Sequence, residues 1–98
     1  MAVRVVIFPE AQVDLVAAAE WYEEREPDSL IPLELFAEFD DMLELIAEHP
    51  EAFPKFDGDV RRAILKQFPY GVYYSIEQDH IAVLYFVAMA QEEGPDSR

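Results

Sequence analysis

The stretch that decides the fold spans residues 60–87 and reads VRRAILKQFPYGVYYSIEQDHIAVLYFV. Three runs rich in β-branched and aromatic residues are separated by two short turn signals, residues 68–71 (Phe-Pro-Tyr-Gly) and residues 78–79 (Gln-Asp). Proline early in the first signal fixes φ, and the glycine supplies a residue for positive φ. The second signal has the length of a tight hairpin. The stretch therefore predicts a three-stranded antiparallel meander, one face of which other elements must cover.

Two helical patterns precede the meander. A short apolar run at residues 3–8 predicts a strand, and a helix from Pro9 to Arg25 follows, with proline at its first position and an acid in its first turn. After a break at residues 26–29, where Asp28 or Ser29 could cap the next helix, a second helix carries Pro32 in its first turn and ends before residues 49–50. Residues 50–59, with two prolines and a glycine, predict a loop.

The order of these elements predicts an α+β fold, β-α-α-β-β-β, with a helical hairpin packed on one face of a mostly antiparallel sheet. We expect one domain over residues 1–90 and a polar tail over residues 91–98. The apolar stripes of both helices and the meander predict a core that contains Leu15, Phe39, Leu43 and Ile46, together with several of Leu65, Val72, Val83 and Leu84.

The composition excludes several classes of site. The chain has 21 acidic and seven basic residues, a net charge of −14, which argues against general nucleic-acid binding. The acidity also fits adaptation to high salt, which would say nothing about activity. There is no cysteine, and thus no disulfide, thiolate zinc site or cysteine nucleophile. We expect no cofactor and no metal. Without an apolar run long enough to span a bilayer, or a signal peptide, the cytoplasm is the expected compartment.

Four cations mark the only anion-binding surface that the sequence suggests: Lys55, Arg61, Arg62 and Lys66. Strand alternation assigns Arg62, Ile64 and Lys66 to one face of the sheet. It assigns Arg61, Ala63 and Leu65 to the other. The functional interpretation is a partner- or anion-binding site on the open sheet face. The alternative is a solvated strand whose cations balance the acidic helices.

Catalytic candidates are weak. Four tyrosines in the meander could stack on nucleobases or simply pack in the sheet: Tyr70, Tyr73, Tyr74 and Tyr85. His49, at a helix end, and His80, at a turn, are interpreted as surface or cap residues, since nothing pairs either with a second catalytic group. The residues that remain as catalytic candidates are Arg61, Arg62, Tyr73 and Tyr74.

Five segments in order resemble signatures of the RelE/ParE family of toxins from bacterial and archaeal toxin–antitoxin modules. They are residues 8–11 (FPEA), residues 21–25 (WYEER), residues 46–50 (IAEHP), and the pair VRR at 60–62 with FPYGVYY at 68–74. The resemblance covers residues 3–87. It implies the toxin component of a type II module of the kind linked to plasmid stabilisation, which an antitoxin wraps and silences.

The resemblance leaves the target open, because some relatives inhibit DNA gyrase and others cut mRNA on the ribosome. Many relatives carry a histidine and an arginine after the last strand, where this chain has Ala88 and Gln91. We therefore slightly prefer inhibition of a gyrase-type protein target. The alternatives are a ribosome-dependent endoribonuclease and a non-toxic member that only binds an antitoxin-like peptide. Whether the chain is an enzyme, and whether it forms a homodimer or a toxin–antitoxin hetero-oligomer, stay open.

The resemblance also implies how the antitoxin binds, by laying an amphipathic helix or an added strand across the toxin. An acidic antitoxin would be repelled by the acidic helices. We therefore expect a less acidic partner, or one that docks near Arg61, Arg62 and Lys66.

Overall fold

The computed structural model describes residues 3–89, which form two helices and a five-stranded sheet. In chain order the elements are β1 (Val5–Ile7), α1 (Pro9–Arg25), α2 (Ile31–Glu48), β2 (Lys55–Asp57), β3 (Val60–Ile64), β4 (Tyr70–Ile76) and β5 (Ile81–Ala88). The strand order in the sheet is β1-β5-β4-β3-β2. Only β1 pairs in parallel, with β5, and the other three pairings are antiparallel. The predicted α+β fold, with a helical hairpin on a mostly antiparallel sheet, is confirmed. The expected tail lies outside the described residues.

Both helices carry a proline in their first turn, as the sequence predicts. The bounds predicted for α1 are confirmed, and its start is tied to the sheet because the Phe8 N–H donates to the Val83 carbonyl at 2.9 Å. The second helix begins one residue before Pro32, whose missing N–H costs nothing in a first turn. Ser29 Oγ accepts the Ile31 N–H at 3.3 Å and so satisfies a donor that the helix leaves unpaired.

The core lies between the helices and one face of the sheet. Phe39 is 1% exposed and packs edge-to-face on Phe86, with ring centroids 5.3 Å apart. The predicted core members that are buried are Phe39, Ile46, Leu65, Val72 and Val83. Leu15 and Leu43 are partly buried against the same cluster. This aromatic contact therefore joins α2 to β5 at the centre of the fold.

Leu84 is not among the buried residues, so the meander residues expected in the core are represented by Leu65, Val72 and Val83. Tyr73 of β4 pairs with Tyr85, but the next residue, Tyr74, pairs with Val83. Leu84 is the extra residue of a β-bulge, which places Phe86 rather than Tyr85 on the core side after Val83. Its side chain lies on the sheet face away from the helices, beside Tyr85 and Phe56.

The segment between α2 and β3 is more ordered than predicted. Residues 50–59 contain the short strand β2, which pairs with β3 at the edge of the sheet and turns at Gly58, where φ is +58°. Three residues are too few to show an alternating pattern in the sequence. The predicted loop is thus wrong at Lys55–Asp57.

The first turn signal is also displaced. Tyr70 and Gly71 belong to β4, so the turn ends before them, and Gly71 does not have positive φ. The lack of room for a Cβ atom explains why this residue is glycine better than a need for positive φ does. A Cβ there would lie 3.1 Å from Met89 Cε and 3.3 Å from Arg62 Cγ.

Arg61 and Tyr74, direct partners across β3 and β4, hold the chain that leaves α2. Arg61 Nη1 donates to the Phe53 carbonyl at 2.6 Å and to the Glu51 carbonyl at 3.3 Å. The Tyr74 hydroxyl donates to the Pro50 carbonyl at 2.6 Å, and the Tyr74 residue is fully buried. We call this arrangement the loop clamp. It satisfies loop carbonyls that no strand or helix pairs.

The first prediction tests the core. Phe39→Ala should lower the free energy of unfolding by about 3–5 kcal/mol, because the substitution leaves a cavity against Phe86. Leu33→Ala, at a position of α2 that is 64% exposed, should change it by less than about 0.5 kcal/mol. Urea denaturation followed by far-UV circular dichroism measures both. Equal losses for the two variants would contradict the packing described above.

The second prediction tests the loop clamp through pH. Burial raises the pKa of Tyr74 from 10.0 to about 12, although nearby Arg61 acts in the opposite direction. Between pH 10 and 12 the unfolded chain has lost this proton while the folded chain keeps it. The Tyr74 contribution to stability should therefore be complete below pH 10 and fall as pH rises, by at most about 1.4 kcal/mol per pH unit.

Tyr74→Phe should flatten this alkaline decline, and at neutral pH it should cost about 1 kcal/mol for the lost hydrogen bond. Tyr85→Phe is the matched control, since Tyr85 is 50% exposed on the opposite face. Unfolding curves at intervals from pH 8 to 12 give both quantities. An unchanged alkaline slope in Tyr74→Phe would show that the hydroxyl is not held as described.

Candidate functional site

The face of the sheet opposite the helices is the candidate site. We call it the open face, and its described members include Phe56, Val60, Arg62, Ile64, Tyr73, Leu84, Tyr85 and Val87. Strand alternation directs these side chains away from α1 and α2.

Three aromatic rings form a row across the open face. Phe56 meets Tyr73 edge-to-face with centroids 5.1 Å apart, and Tyr73 meets Tyr85 at 6.5 Å. Phe56 and Tyr85 are each about half exposed, at 51% and 50%. The row borders a groove of about 330 Å³ whose lining is mainly apolar and includes Leu84. Large apolar side chains exposed together are characteristic of binding surfaces.

Arg62 lies within this row. Its guanidinium carbon is 4.6 Å from the centroid of the Phe56 ring and 6.0 Å from that of Tyr73. Its Nη1 also donates to the Tyr73 hydroxyl at 3.4 Å. Arginine stacks on aromatic rings in this way more readily than lysine, because its guanidinium is planar and weakly hydrated. The open face therefore combines apolar contact with one oriented cation.

The four catalytic candidates divide into two pairs. Arg62 and Tyr73 come together on the open face, as cross-strand partners. Arg61 and Tyr74 form the loop clamp on the other face. Alternation along β3 and β4 separates the members of each adjacent pair.

The other predicted cations lie apart from this site. Lys55 Nζ is 3.6 Å from Asp59 Oδ1 at the β2 edge. Lys66 follows β3, where the Glu38 carboxylate accepts its backbone N–H at 2.6 Å and that of Gln67 at 3.2 Å. The proposed anion-binding residues thus have four different surroundings.

Neither histidine adjoins the aromatic row. His49 is the residue that caps the C-terminus of α2. His80 is in the β4–β5 turn, its Nδ1 2.7 Å from Asp79 Oδ1, and this hydrogen bond lowers the pKa of the Asp79 carboxyl. Tyr73 lies three residues before the end of β4, about 10 Å along the strand from that turn. Within residues 3–89, no imidazole therefore faces the pair of Arg62 and Tyr73.

Two other kinds of site are absent from the described residues. In the part of the chain from residue 3 to residue 89, no cluster of three or more histidine, aspartate or glutamate side chains could hold a metal ion. Over the same residues, no helix is long and apolar enough to cross a bilayer. Ala88, where the family resemblance implies a histidine, is the last residue of β5 and pairs with Tyr70. Gln91, where it implies an arginine, lies outside the described residues.

Phe56 is the open-face residue that the sequence reasoning missed. It lies in the loop predicted for residues 50–59, because a strand of three residues is too short to show alternation. The signal that could have found it is an aromatic residue between two charged ones, directly before the turn at Gly58. An apolar residue so exposed at a sheet edge is better explained by contact with another molecule than by the core.

Comparison with known proteins gives a family. A family model described as the ParE toxin of the type II toxin–antitoxin system parDE matches residues 5–92. No curated protein sequence matches at a significant level.

Two solved structures share the fold at low sequence identity. The chromosomal ParDE toxin–antitoxin system of P. aeruginosa superposes with a TM-score of 0.68 at 16% identity, over 91% of this chain and 98% of that chain. The E. coli DinJ-YafQ toxin–antitoxin complex superposes with a TM-score of 0.61 at 11% identity, over 93% and 97%. Together with the match over residues 5–92, the fold and its open face lead to one conclusion: this chain belongs to the ParE family of toxins of type II toxin–antitoxin systems.

Proposed function

We propose that this toxin arrests growth by binding a protein target through its open face, with DNA gyrase as the preferred class of target. The observation that carries the proposal is the row of Phe56, Tyr73 and Tyr85 around Arg62. Aromatic residues and arginine are the side chains that most often dominate the energy of protein interfaces. The target would place an apolar side chain in the groove that Leu84 and Tyr85 line.

The chemistry of RNA cleavage supports this preference. Attack by a ribose 2′-hydroxyl needs a base, an acid and cations for the charge that develops on phosphate. Arg61 and Tyr74 already donate to the carbonyls of residues 50–53 and could serve only if the loop clamp opened. The net charge of −14 also opposes approach to RNA.

We infer that a cognate antitoxin neutralises the chain, as an inference from the ParDE and DinJ-YafQ complexes that share its fold. The cytoplasm, where gyrase and ribosomes are found, is the expected place of action. The same inference implies a role in plasmid stabilisation. It also implies that the chain assembles with its antitoxin into a hetero-oligomer. A homodimer of the toxin alone is the alternative assembly.

One observation favours a second candidate, a ribosome-dependent mRNA endoribonuclease. Arg62 Nη1 and the Tyr73 hydroxyl lie 3.4 Å apart on the open face. A phenol and a guanidinium held together could position RNA and stabilise a phosphorane without a dedicated base. Such an enzyme would be slow, since the loss of one general acid or base costs about 10²–10⁴-fold in rate.

The third prediction separates these functions. Expression in a bacterial host should arrest growth, and purified protein should inhibit DNA supercoiling by gyrase without cutting mRNA in a translation reaction. Tyr85→Ala should raise the concentration for half inhibition by at least about tenfold, because it removes an exposed ring from the interface. Lys55→Ala, at a cation outside the aromatic row, is the control and should leave inhibition unchanged.

Two results would overturn the preference for gyrase. Codon-positioned mRNA cleavage, mapped by primer extension and abolished by Arg62→Ala, would make the endoribonuclease the correct function. Neither arrest nor cleavage would indicate a non-toxic member that only binds an antitoxin-like peptide.

A further inference from the structure

The outward face of α1 carries an apolar stripe that the described fold does not use. Val13 is 67% exposed and Val16 is 49% exposed, and Ala17 lies beside them. We call Val13, Val16 and Ala17 the α1 stripe. Together with Gln12 and Glu20 it lines a shallow groove of about 370 Å³. The core side of the same helix is formed by other residues, of which Ala11 and Ala18 are buried.

Two valines are an unusual choice for helix positions that face water. Valine loses side-chain freedom in a helix, and glutamate, lysine or glutamine would be better tolerated there. The spacing of the stripe, i, i+3 and i+4, presents one continuous apolar surface. A surface of this kind fits the apolar side of a second helix.

Acidic residues surround the stripe, and very few cations balance them. The first helix holds five acids and one base, and α2 holds six acids and no base. The single base, Arg25, already lies 3.8 Å above the Trp21 ring and 3.9 Å from Glu24. Like charges recur four residues apart in both helices, at Glu10 and Asp14, Glu20 and Glu24, Glu34 and Glu38, Asp40 and Glu44, and Glu44 and Glu48. Each such pair destabilises its helix.

We propose that the α1 stripe is covered by a cationic amphipathic helix of the neutralising partner. Its apolar side packs on Val13, Val16 and Ala17, and its lysines or arginines lie beside Glu10 and Glu20. That this partner is the antitoxin rests on the proposed function. The positive charge of the partner helix does not rest on the proposed function, because it is inferred from the acids on α1 and α2. An acidic partner helix would add to the repulsion between these acids, whereas a cationic one would reduce that repulsion.

Salt should then have opposite effects on folding and on binding. Salt screens the repulsion between acids, so the chain alone becomes more stable as salt rises. It also screens attraction to a cationic helix, so binding becomes weaker. A binding surface that depended on apolar contact alone would not weaken in salt.

The fourth prediction uses a synthetic peptide with a leucine stripe flanked by lysines, added to the intact protein. Trp21, the only tryptophan, lies on the same helix and reports binding by its fluorescence. Binding should be saturable and should weaken at least about tenfold between 0.1 and 1 M potassium chloride. Val16→Asn should weaken it by a similar factor, and Leu33→Asn, at an exposed position of α2, should not change it. Circular dichroism confirms that both variants are folded.

Three results would overturn the inference: equal binding of a peptide with glutamates in place of lysines, equal binding of a scrambled lysine peptide, or no effect of Val16→Asn. The outcome is independent of toxicity. A chain that arrests growth but does not bind the lysine peptide contradicts this inference alone. A chain that binds the peptide but arrests nothing contradicts the proposed function alone.

Discussion

The loop clamp is the interaction on which the rest of this structure depends. A guanidinium on β3 and a phenol on β4 donate to carbonyls of residues 50–53, directly after α2. They fix the point at which the chain leaves the helical layer and enters the sheet. They also fix the register of β3, since a slip of one residue would turn every side chain of that strand to the other face. With Arg61 turned towards the loop, Arg62 must face the open side.

This division gives the molecule three surfaces with different chemistry. One sheet face is apolar and buried against the helices, around Phe39 and Phe86. The open face combines a row of aromatic rings with Arg62. The outward side of the helices is acidic, with an apolar stripe on α1. The open face and the outward side of the helices are thus two exposed surfaces of different chemistry, the first aromatic and the second acidic.

Much of this could be predicted from the sequence, where long periodic signals exist. The bounds of α1, the stripe of α2 and the alternation of β3 follow from side-chain spacing alone. The misplaced elements have local causes. The strand β2 has only three residues, and the bulge at Leu84 has no signal in the amino-acid composition. Gly71 is required because a Cβ atom would be too close to its neighbours, not because the backbone needs positive φ. The site could be predicted only in part. Alternation separates Arg61 from Arg62, but only the contacts with residues 50–53 show that Arg61 and Tyr74 hold the loop, and the short β2 hides Phe56.

The most direct test of this account compares the two neighbouring arginines in urea. Arg61→Met and Arg62→Met remove the same charge from adjacent residues, so net charge cannot distinguish them. Arg61→Met should lose about 2 kcal/mol of unfolding free energy, because hydrogen bonds from a charged donor to loop carbonyls disappear. Arg62→Met should lose about 1 kcal/mol or less, the scale of a partly exposed cation–π contact. Equal losses, or a larger loss for Arg62→Met, would contradict the division of the two arginines between structure and binding.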